Sequence, residues 1–205
     1  MRIEGIDIYW VKLPLAFVWR TSYADQRDTD TILVRMEGGG HHAWGESCPV
    51  YVPAYSAEHT IATFHTLREH MAPRIIGEDL ESAQDLLDRI SFVKGHIKTA
   101  RVGGLTASRD IQSLCAEHDI PCWVGGMLES AIGGAICAEL ATLPNFTYPG
   151  DIFPSSYFYR NDIGKPEIVL SGRGEVATSA VPGIPQEPDA DLLKQWTVEH
   201  ASFRV

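Results

Sequence analysis

The sequence predicts an α+β unit followed by βα units of an α/β sheet or barrel, and two observations support this fold class. Residues 1–93 place β-rich segments first and helical segments after them, an order typical of α+β domains. Residues 97–134 then twice show a strand, a tight glycine turn and a helix. Successive units of this kind favour neighbouring parallel strands, and in such folds the chemistry lies at the carboxyl ends of the strands.

The first part of the chain is predicted to be an antiparallel meander of three strands. Ile3, Ile6 and Ile8 open an extended segment that is expected to run to residue 13, and Pro14 is expected to end it. Residues 31–36 and 41–46 follow as two strands joined by a glycine turn. Residues 15–29 are expected to form a long loop, and loops of this length are often functional lids.

Helical periodicity predicts five further elements. Ser56 is expected to cap a first helix that Pro73 ends, and a second helix is expected over residues 80–90. A helix over 106–117 is expected to bury its apolar face, while Ser130 is expected to cap the next helix. The chain is then predicted to end with a short helix over 189–196 and a final strand.

Composition and charge exclude several classes of function. The 205-residue chain has a formal net charge of −10, with 44% hydrophobic and 21% charged residues, as in ordinary globular proteins. The acidic balance argues against a nucleic-acid partner and against docking on an anionic membrane surface. Apolar runs are too short for a membrane span and no signal-peptide pattern is present, so we expect a cytoplasmic protein. The four cysteines lack metal-ligand spacing and are interpreted as buried reduced thiols.

Four motifs follow one another along the chain: Trp44-Gly-Glu-Ser47, Lys98-x-x-Arg101-Val-Gly-Gly104, Gly125-Gly-Met-Leu-Glu-Ser130 and Pro149-Gly-Asp151. In this order they resemble the o-succinylbenzoate synthase and N-acylamino acid racemase group of the enolase superfamily. The members of this group are similar to muconate-lactonizing enzymes. The resemblance implies an α+β capping domain joined to a partial (β/α) barrel, units six to eight of an enolase-type barrel. It divides the chain into a capping domain over 1–96, the partial barrel over 97–162 and a C-terminal tail over 163–205 that returns to the capping domain.

The resemblance also implies a reaction and a cofactor. The family abstracts a proton beside the carboxylate of a small substrate, and Mg²⁺ stabilises the resulting enediolate. Implied activities are a lyase reaction, the dehydration that gives o-succinylbenzoate for menaquinone biosynthesis, or racemisation of N-acylamino acids. A complete TIM barrel of this type needs about 250 residues, whereas only residues 97–155 match it here. Barrel units one to five, which hold the Lys-x-Lys pair and the Asp, Glu and Asp metal ligands, have no counterpart.

Site residues carry over only where the motifs match. Lys98 matches the second family lysine and is the expected catalytic residue; the substrate-binding residues implied by the resemblance are Thr21, Ser22, Gly125, Gly126, Met127 and Glu129. A plainer interpretation of each residue stays open. Lys98 fits a solvated lysine, and Thr21 and Ser22 fit an ordinary loop. The 125–127 segment fits a strand-to-helix turn with a core methionine, and Glu129 fits a carboxylate in the first turn of a helix. Glu46 is expected to be structural. We expect no metal ligands and no bound Mg²⁺ in this truncated chain.

Three functional hypotheses therefore remain. The chain is an o-succinylbenzoate synthase-type or racemase-type enzyme by descent, a non-catalytic binding remnant, or an internally deleted form of a full-length enzyme. The abrupt junction at residues 96–97 favours the second and third, and the encoding DNA around codon 96 discriminates the third. Open sheet edges and uncovered apolar helix faces predict a homo-oligomer or poor solubility.

Overall fold

The computed structural model describes residues 1–93 and 104–205. Three strands open the chain: β1 (Gly5–Arg20), β2 (Asp25–Gly38) and β3 (His41–Ser47). Each pairs antiparallel with the next, which confirms the predicted meander. The first of the two strands predicted within residues 97–134, Lys98 and the junction at 96–97 lie outside the described residues.

Strand β1 is longer than the sequence predicted. It continues through Pro14, and the predicted loop over 15–29 is instead a β-hairpin whose turn covers only residues 21–24. The pairing of β1 with β2 shifts register between Pro14 and Trp19. Proline is tolerated at such an irregularity because it lacks an amide hydrogen to donate to the ladder. The prediction that residues 15–29 form a long loop is therefore wrong.

The helical stretch after the meander also passes through a proline. Helix α1 (Thr60–Thr66) is followed by a π-helical turn over Leu67–Met71 and then by helix α2 (Ala72–Ile75). The prediction that Pro73 ends the helix is wrong. Pro73 lies in the first turn of α2, where a missing amide hydrogen is tolerated and its fixed φ suits the helix.

The capping predictions had mixed outcomes. Ser56 does not cap α1, since His59 precedes that helix and the Ser56 hydroxyl donates to the Glu58 carbonyl oxygen instead (3.1 Å). Helix α3 (Ala83–Ile90) confirms the helix expected near 80–90. Its cap is Ser82, whose hydroxyl oxygen accepts a hydrogen bond from the Asp85 amide (3.1 Å).

Helix α4 (Leu105–Glu117) confirms the helix predicted over 106–117 but does not bury its apolar face. Leu105, Ile111 and Leu114 are 52%, 45% and 57% exposed. One contact of α4 is polar: the Gln112 amide donates to the side-chain oxygen of Asn145 (2.6 Å). The prediction that α4 buries this face is therefore wrong, whereas the uncovered apolar helix faces expected of an incomplete barrel are present in α4.

Helix α5 (Ala131–Leu140) follows, with Ser130 as its cap, as the sequence predicted. On either side of α5 the backbone forms two parallel bridges, Cys122 with Phe146 and Gly125 with Asp151. No regular strand is present there, but the parallel sense is the one that successive βα units require.

The last part of the chain returns to the sheet. Short strands β4 (Gly164–Lys165) and β5 (Glu187–Pro188) pair with each other. Helix α6 (Ala190–Trp196) and strand β6 (Thr197–Arg204) follow, and both were predicted for the end of the chain. Strand β6 pairs antiparallel with β1, which gives the order β3-β2-β1-β6. Among the helices of the described ranges, none combines the length and apolar character needed to cross a bilayer.

The two faces of this sheet bury different partners. One face carries Ile6, Ile8 and Ile32 against the α1–α3 side, with Phe64 fully buried. The other face carries a second core, whose fully or almost fully buried members are Val11, Leu13, Leu15, Leu33, Ile132, Tyr159 and Ile163. The second core therefore brings the first turn of α5 directly against β1, β2 and β3.

Candidate functional site

The first turn of α5 receives the buried carboxylate of Glu46 from β3. Both carboxylate oxygens accept from the Ser130 amide (3.0 and 3.1 Å), and Oε2 also accepts from the Ser130 hydroxyl (2.7 Å) and the Gly133 amide (2.8 Å). The Thr31 hydroxyl donates to Oε1 (2.9 Å). Amides at a helix N-terminus lack intrahelical acceptors and favour negative charge. These bonds confirm the structural role predicted for Glu46.

A second carboxylate, Asp162, supports the same helix turn. Its Oδ1 accepts from the Ala131 amide (3.1 Å) and the Gly164 amide (2.9 Å), while Oδ2 is buried and has no hydrogen-bond partner. Burial raises the pKa of Asp162 to about 6. Sequence reasoning missed this residue, although an aspartate two residues before a glycine is a recognisable turn signal.

Glu129 lies next to this pair but is not part of α5. It precedes the cap Ser130, so its interpretation as a first-turn helix carboxylate is wrong. Its Oε2 accepts from the Met127 amide (2.6 Å). Burial, followed by the negative charges of Glu46 and Asp151, raises the pKa of Glu129. The folded chain therefore stabilises the charged form of the Glu129 carboxylate less well than water does.

The turn over residues 125–127 depends on glycine. A side-chain carbon at Gly126 would lie 2.1 Å from the Asp151 carbonyl oxygen, a separation that no real contact allows. The bridge between Gly125 and Asp151 brings the two backbone segments this close. Met127 is 43% exposed, so its interpretation as a core methionine is wrong. Gly125 and Met127 are accessible beside the half-buried Glu129.

Thr21 and Ser22 lie in the turn of the β1–β2 hairpin. The Thr21 hydroxyl oxygen accepts from the Ala24 amide (3.0 Å) and donates to the Ala24 carbonyl oxygen (3.0 Å), so its hydrogen bonds close the turn. Ser22 is exposed at the bend. In the described parts of the chain, no hydrogen bond links Thr21 to the 125–129 segment.

The carboxylates near α5 do not fit a magnesium site. Mg²⁺ takes ionised oxygen ligands in near-octahedral geometry. Both oxygens of Glu46 are occupied by hydrogen-bond donors, and Oε2 of Glu129 and Oδ1 of Asp162 accept from backbone amides. Within residues 1–93 and 104–205, no group of three His, Cys, Asp or Glu side chains could hold a metal ion.

Sequence comparison places the chain among enolase relatives. A profile described as Enolase C-terminal domain-like matches residues 53–192. An N-succinylamino acid racemase of Amycolatopsis sp is 40% identical over 133 residues, which cover 63% of this chain and 36% of that protein. An o-succinylbenzoate synthase of Bacillus subtilis (strain 168) is 41% identical over 108 residues, which cover 53% and 29%. The chain thus spans about a third of the length of the curated relatives it matches.

Solved structures agree on the fold. A member of the enolase superfamily from Listeria innocua Clip11262 has a TM-score of 0.90 at 15% identity, and the match covers 100% of this chain and 99% of that one. An N-succinyl Arg/Lys racemase from Bacillus cereus ATCC 14579 has a TM-score of 0.79 at 15% identity, with 100% of both chains covered. At these identities the likeness concerns the fold alone. Because the family profile matches more than half of the residues, the chain belongs to the Enolase C-terminal domain-like family of the enolase superfamily.

Proposed function

We propose that this chain is an o-succinylbenzoate synthase-type member of the enolase superfamily whose own residues do not complete a catalytic site. One observation carries the assignment: 41% identity over 108 residues to an o-succinylbenzoate synthase. The ancestral reaction is then the Mg²⁺-dependent dehydration that gives o-succinylbenzoate in menaquinone biosynthesis. The substrate class is a small carboxylate.

A specific observation supports a second candidate of the same superfamily. The match to an N-succinylamino acid racemase, 40% over 133 residues, is longer than the match to the synthase. Both activities begin by removing a proton beside a carboxylate, so they need the same stabilised enediolate. The two candidates differ in substrate, and a direct assay with each substrate separates them.

We further propose a division into a capping domain (1–96), barrel units six to eight (97–162) and a returning tail (163–205). Two structural features support it. The parallel bridges at Cys122 and Gly125 have the sense expected of successive barrel strands. Strand β6 joins the sheet of the first part of the chain beside β1.

The proposed site has one wall and a lid. The wall is the segment with Gly125, Gly126, Met127 and Glu129, and Lys98 is the proposed catalytic residue; Thr21 and Ser22 form the proposed lid. Support for the wall comes from the accessible Met127 and from Glu129, whose carboxyl group is desolvated and held by a backbone amide.

The magnesium ion, where bound in the family, supplies the positive charge that stabilises the enediolate. The described carboxylates do not fit this ion, so we propose no step through it. Removal of even one preorganised stabilising group commonly costs ~10²–10³ in rate, and such losses are not additive. We therefore propose that the purified chain has no measurable turnover alone.

The proposal includes self-association. Helix α4 exposes Leu105, Ile111 and Leu114, and Trp123 is 55% exposed. A group of exposed apolar side chains favours association with another copy of the chain or lowers solubility. Light scattering with a dye that binds apolar surface tests this point. A monodisperse monomer without dye binding would count against it.

The assay for the main proposal measures calorimetric binding of Mg²⁺ and turnover of two substrates by the purified chain. The substrates are the cyclohexadiene precursor of o-succinylbenzoate and an N-succinylamino acid, each with Mg²⁺ and with chelator. We expect no Mg²⁺ binding and no turnover. Circular dichroism on the same sample shows whether the chain is folded, so that inactivity is not confused with unfolding.

A further inference from the structure

Two cysteines lie together at the end of α4, away from the carboxylates of α5. Cys115 is in the last turn of α4, and the chain turns back at once: the Ile120 amide donates to the Cys115 carbonyl oxygen (2.8 Å). Cys122 then begins the segment that leads to Gly125. Both thiols are free and partly exposed. The sequence had indicated buried reduced thiols without any pairing.

Asn145 fixes the position of the Cys122 sulfur beside α4. Its side-chain nitrogen donates to Cys122 Sγ (3.4 Å) and to the Gln112 carbonyl oxygen (3.2 Å). Gln112 precedes Cys115 by one helical turn, so the two residues share a face of α4. The neighbouring Cys115 thiol contributes to raising the pKa of Cys122. The fold therefore places the Cys122 thiol beside the face of α4 that carries Cys115.

We propose that Cys115 and Cys122 form a reversible disulfide and are a modification site for small disulfides such as oxidised glutathione. One cysteine, as the thiolate, attacks a sulfur of oxidised glutathione, and one glutathione thiolate leaves. The second cysteine, as the thiolate, then displaces the bound glutathione. The two thiols lose two protons and two electrons, and one oxidised glutathione becomes two reduced glutathiones. The bond joins the end of α4 to the segment before Gly125.

The other two cysteines provide internal controls. Burial, together with the charges of Glu46 and Glu129, raises the pKa of Cys48 and raises that of Cys137 to about 12. Thiols in such surroundings stay protonated and react slowly. Burial, followed by the neighbouring Cys115 thiol, also raises the pKa of Cys122, and the bond from Asn145 opposes these effects. The pKa shifts do not distinguish the thiols, so we expect oxidation at limited glutathione disulfide to select Cys115 and Cys122 because these two residues are neighbours in the fold.

The sequence allows a direct test by mass spectrometry. The full chain is incubated with oxidised glutathione, blocked at free thiols and digested without reduction by a protease that cuts after glutamate. Glu117 and Glu129 bound the peptide that contains Cys122, and a cut after Glu117 separates it from Cys115. We expect an intact mass lower by two hydrogens and a linked pair of peptides 82–117 and 118–129. Half-oxidation should need about tenfold less oxidised glutathione than in the urea-unfolded chain, because the fold brings the thiols together.

Matched variants separate the proposal from general thiol oxidation. Cys115→Ser and Cys122→Ser should each give only a glutathione adduct, whereas Cys48→Ser and Cys137→Ser should still form the disulfide. Circular dichroism checks that each variant is folded. Linkage through Cys48 or Cys137, a stable adduct without loss of two hydrogens, or equal oxidation of folded and unfolded chains would overturn the proposal.

Discussion

Replacement of Glu46 is the most informative perturbation of stability, because one carboxylate joins two parts of the chain. Its oxygens accept from the Ser130 amide, the Ser130 hydroxyl, the Gly133 amide and the Thr31 hydroxyl at 2.7–3.1 Å. Glu46→Ala leaves these buried donors without an acceptor. Each unsatisfied donor costs about 1–3 kcal/mol, but the costs are not additive and relief of repulsion with Glu129 offsets part of them.

We therefore expect Glu46→Ala to lower the free energy of unfolding by about 3–5 kcal/mol. Glu46→Gln should cost about half as much, since the amide oxygen keeps part of the acceptor role while its NH₂ group faces other donors. Urea unfolding followed by tryptophan fluorescence measures both. The matched control is Glu58→Gln, because Glu58 Oε1 is buried without a partner and burial raises the pKa of this residue to about 7.

The control should leave stability unchanged or raise it by about 1 kcal/mol above pH 7, where the native carboxylate is desolvated and charged. A loss below about 1 kcal/mol in Glu46→Ala would refute the reasoning, because the carboxylate would then not be what holds β3 to α5. Equal losses in Glu46→Gln and Glu58→Gln would refute it as well, since any buried glutamate would then behave alike.

Three further predictions concern the same region. Gly126→Ala should lower the free energy of unfolding by about 1–3 kcal/mol, because the added methyl carbon would lie 2.1 Å from the Asp151 carbonyl oxygen. Gly125→Ala is the control in the same urea experiment and should cost clearly less, because its methyl carbon would contact only the exposed ring of Trp123. Asp162→Asn should flatten the pH dependence of the free energy of unfolding. The folded-state pKa of Asp162, about 6, lies above the ordinary 3.8, so wild-type stability falls by up to about 3 kcal/mol as the pH rises from 4 to 7. An unchanged slope in the variant would contradict this. Tyr159→Phe removes the hydrogen bond to the Leu128 carbonyl oxygen (2.5 Å) and should lower the melting temperature, at a cost of about 1 kcal/mol.

The elements that the sequence predicted correctly are those set by local patterns. The β-rich run in β2 and the capping serine before α5 are recognised from a few neighbouring positions, so the meander and that helix cap were predicted correctly. Errors came where a distant segment decides the outcome. Pro14 was predicted to end β1, but the register shift against β2 accommodates it.

The candidate site was less predictable for the same reason. Asp162 acts on the first turn of α5, which lies about thirty residues earlier, and no local pattern connects them. The burial of α4 was overestimated because periodicity shows which face is apolar but not whether another element covers it. The resemblance named Met127 and Glu129 as substrate-binding residues, but only the structure shows that Met127 is exposed and that a backbone amide holds Glu129.

The central claim is that this enolase-superfamily chain lacks the groups that complete catalysis, and one measurement tests it most directly. Turnover of the cyclohexadiene substrate and of an N-succinylamino acid is measured with Mg²⁺ and with chelator, in the wild-type chain and in Lys98→Ala. We predict no turnover in either protein and nearly unchanged stability in the variant. Chelator-sensitive turnover that disappears in Lys98→Ala would contradict the claim and would direct the search for metal ligands to Glu129, Asp151 and a second copy of the chain.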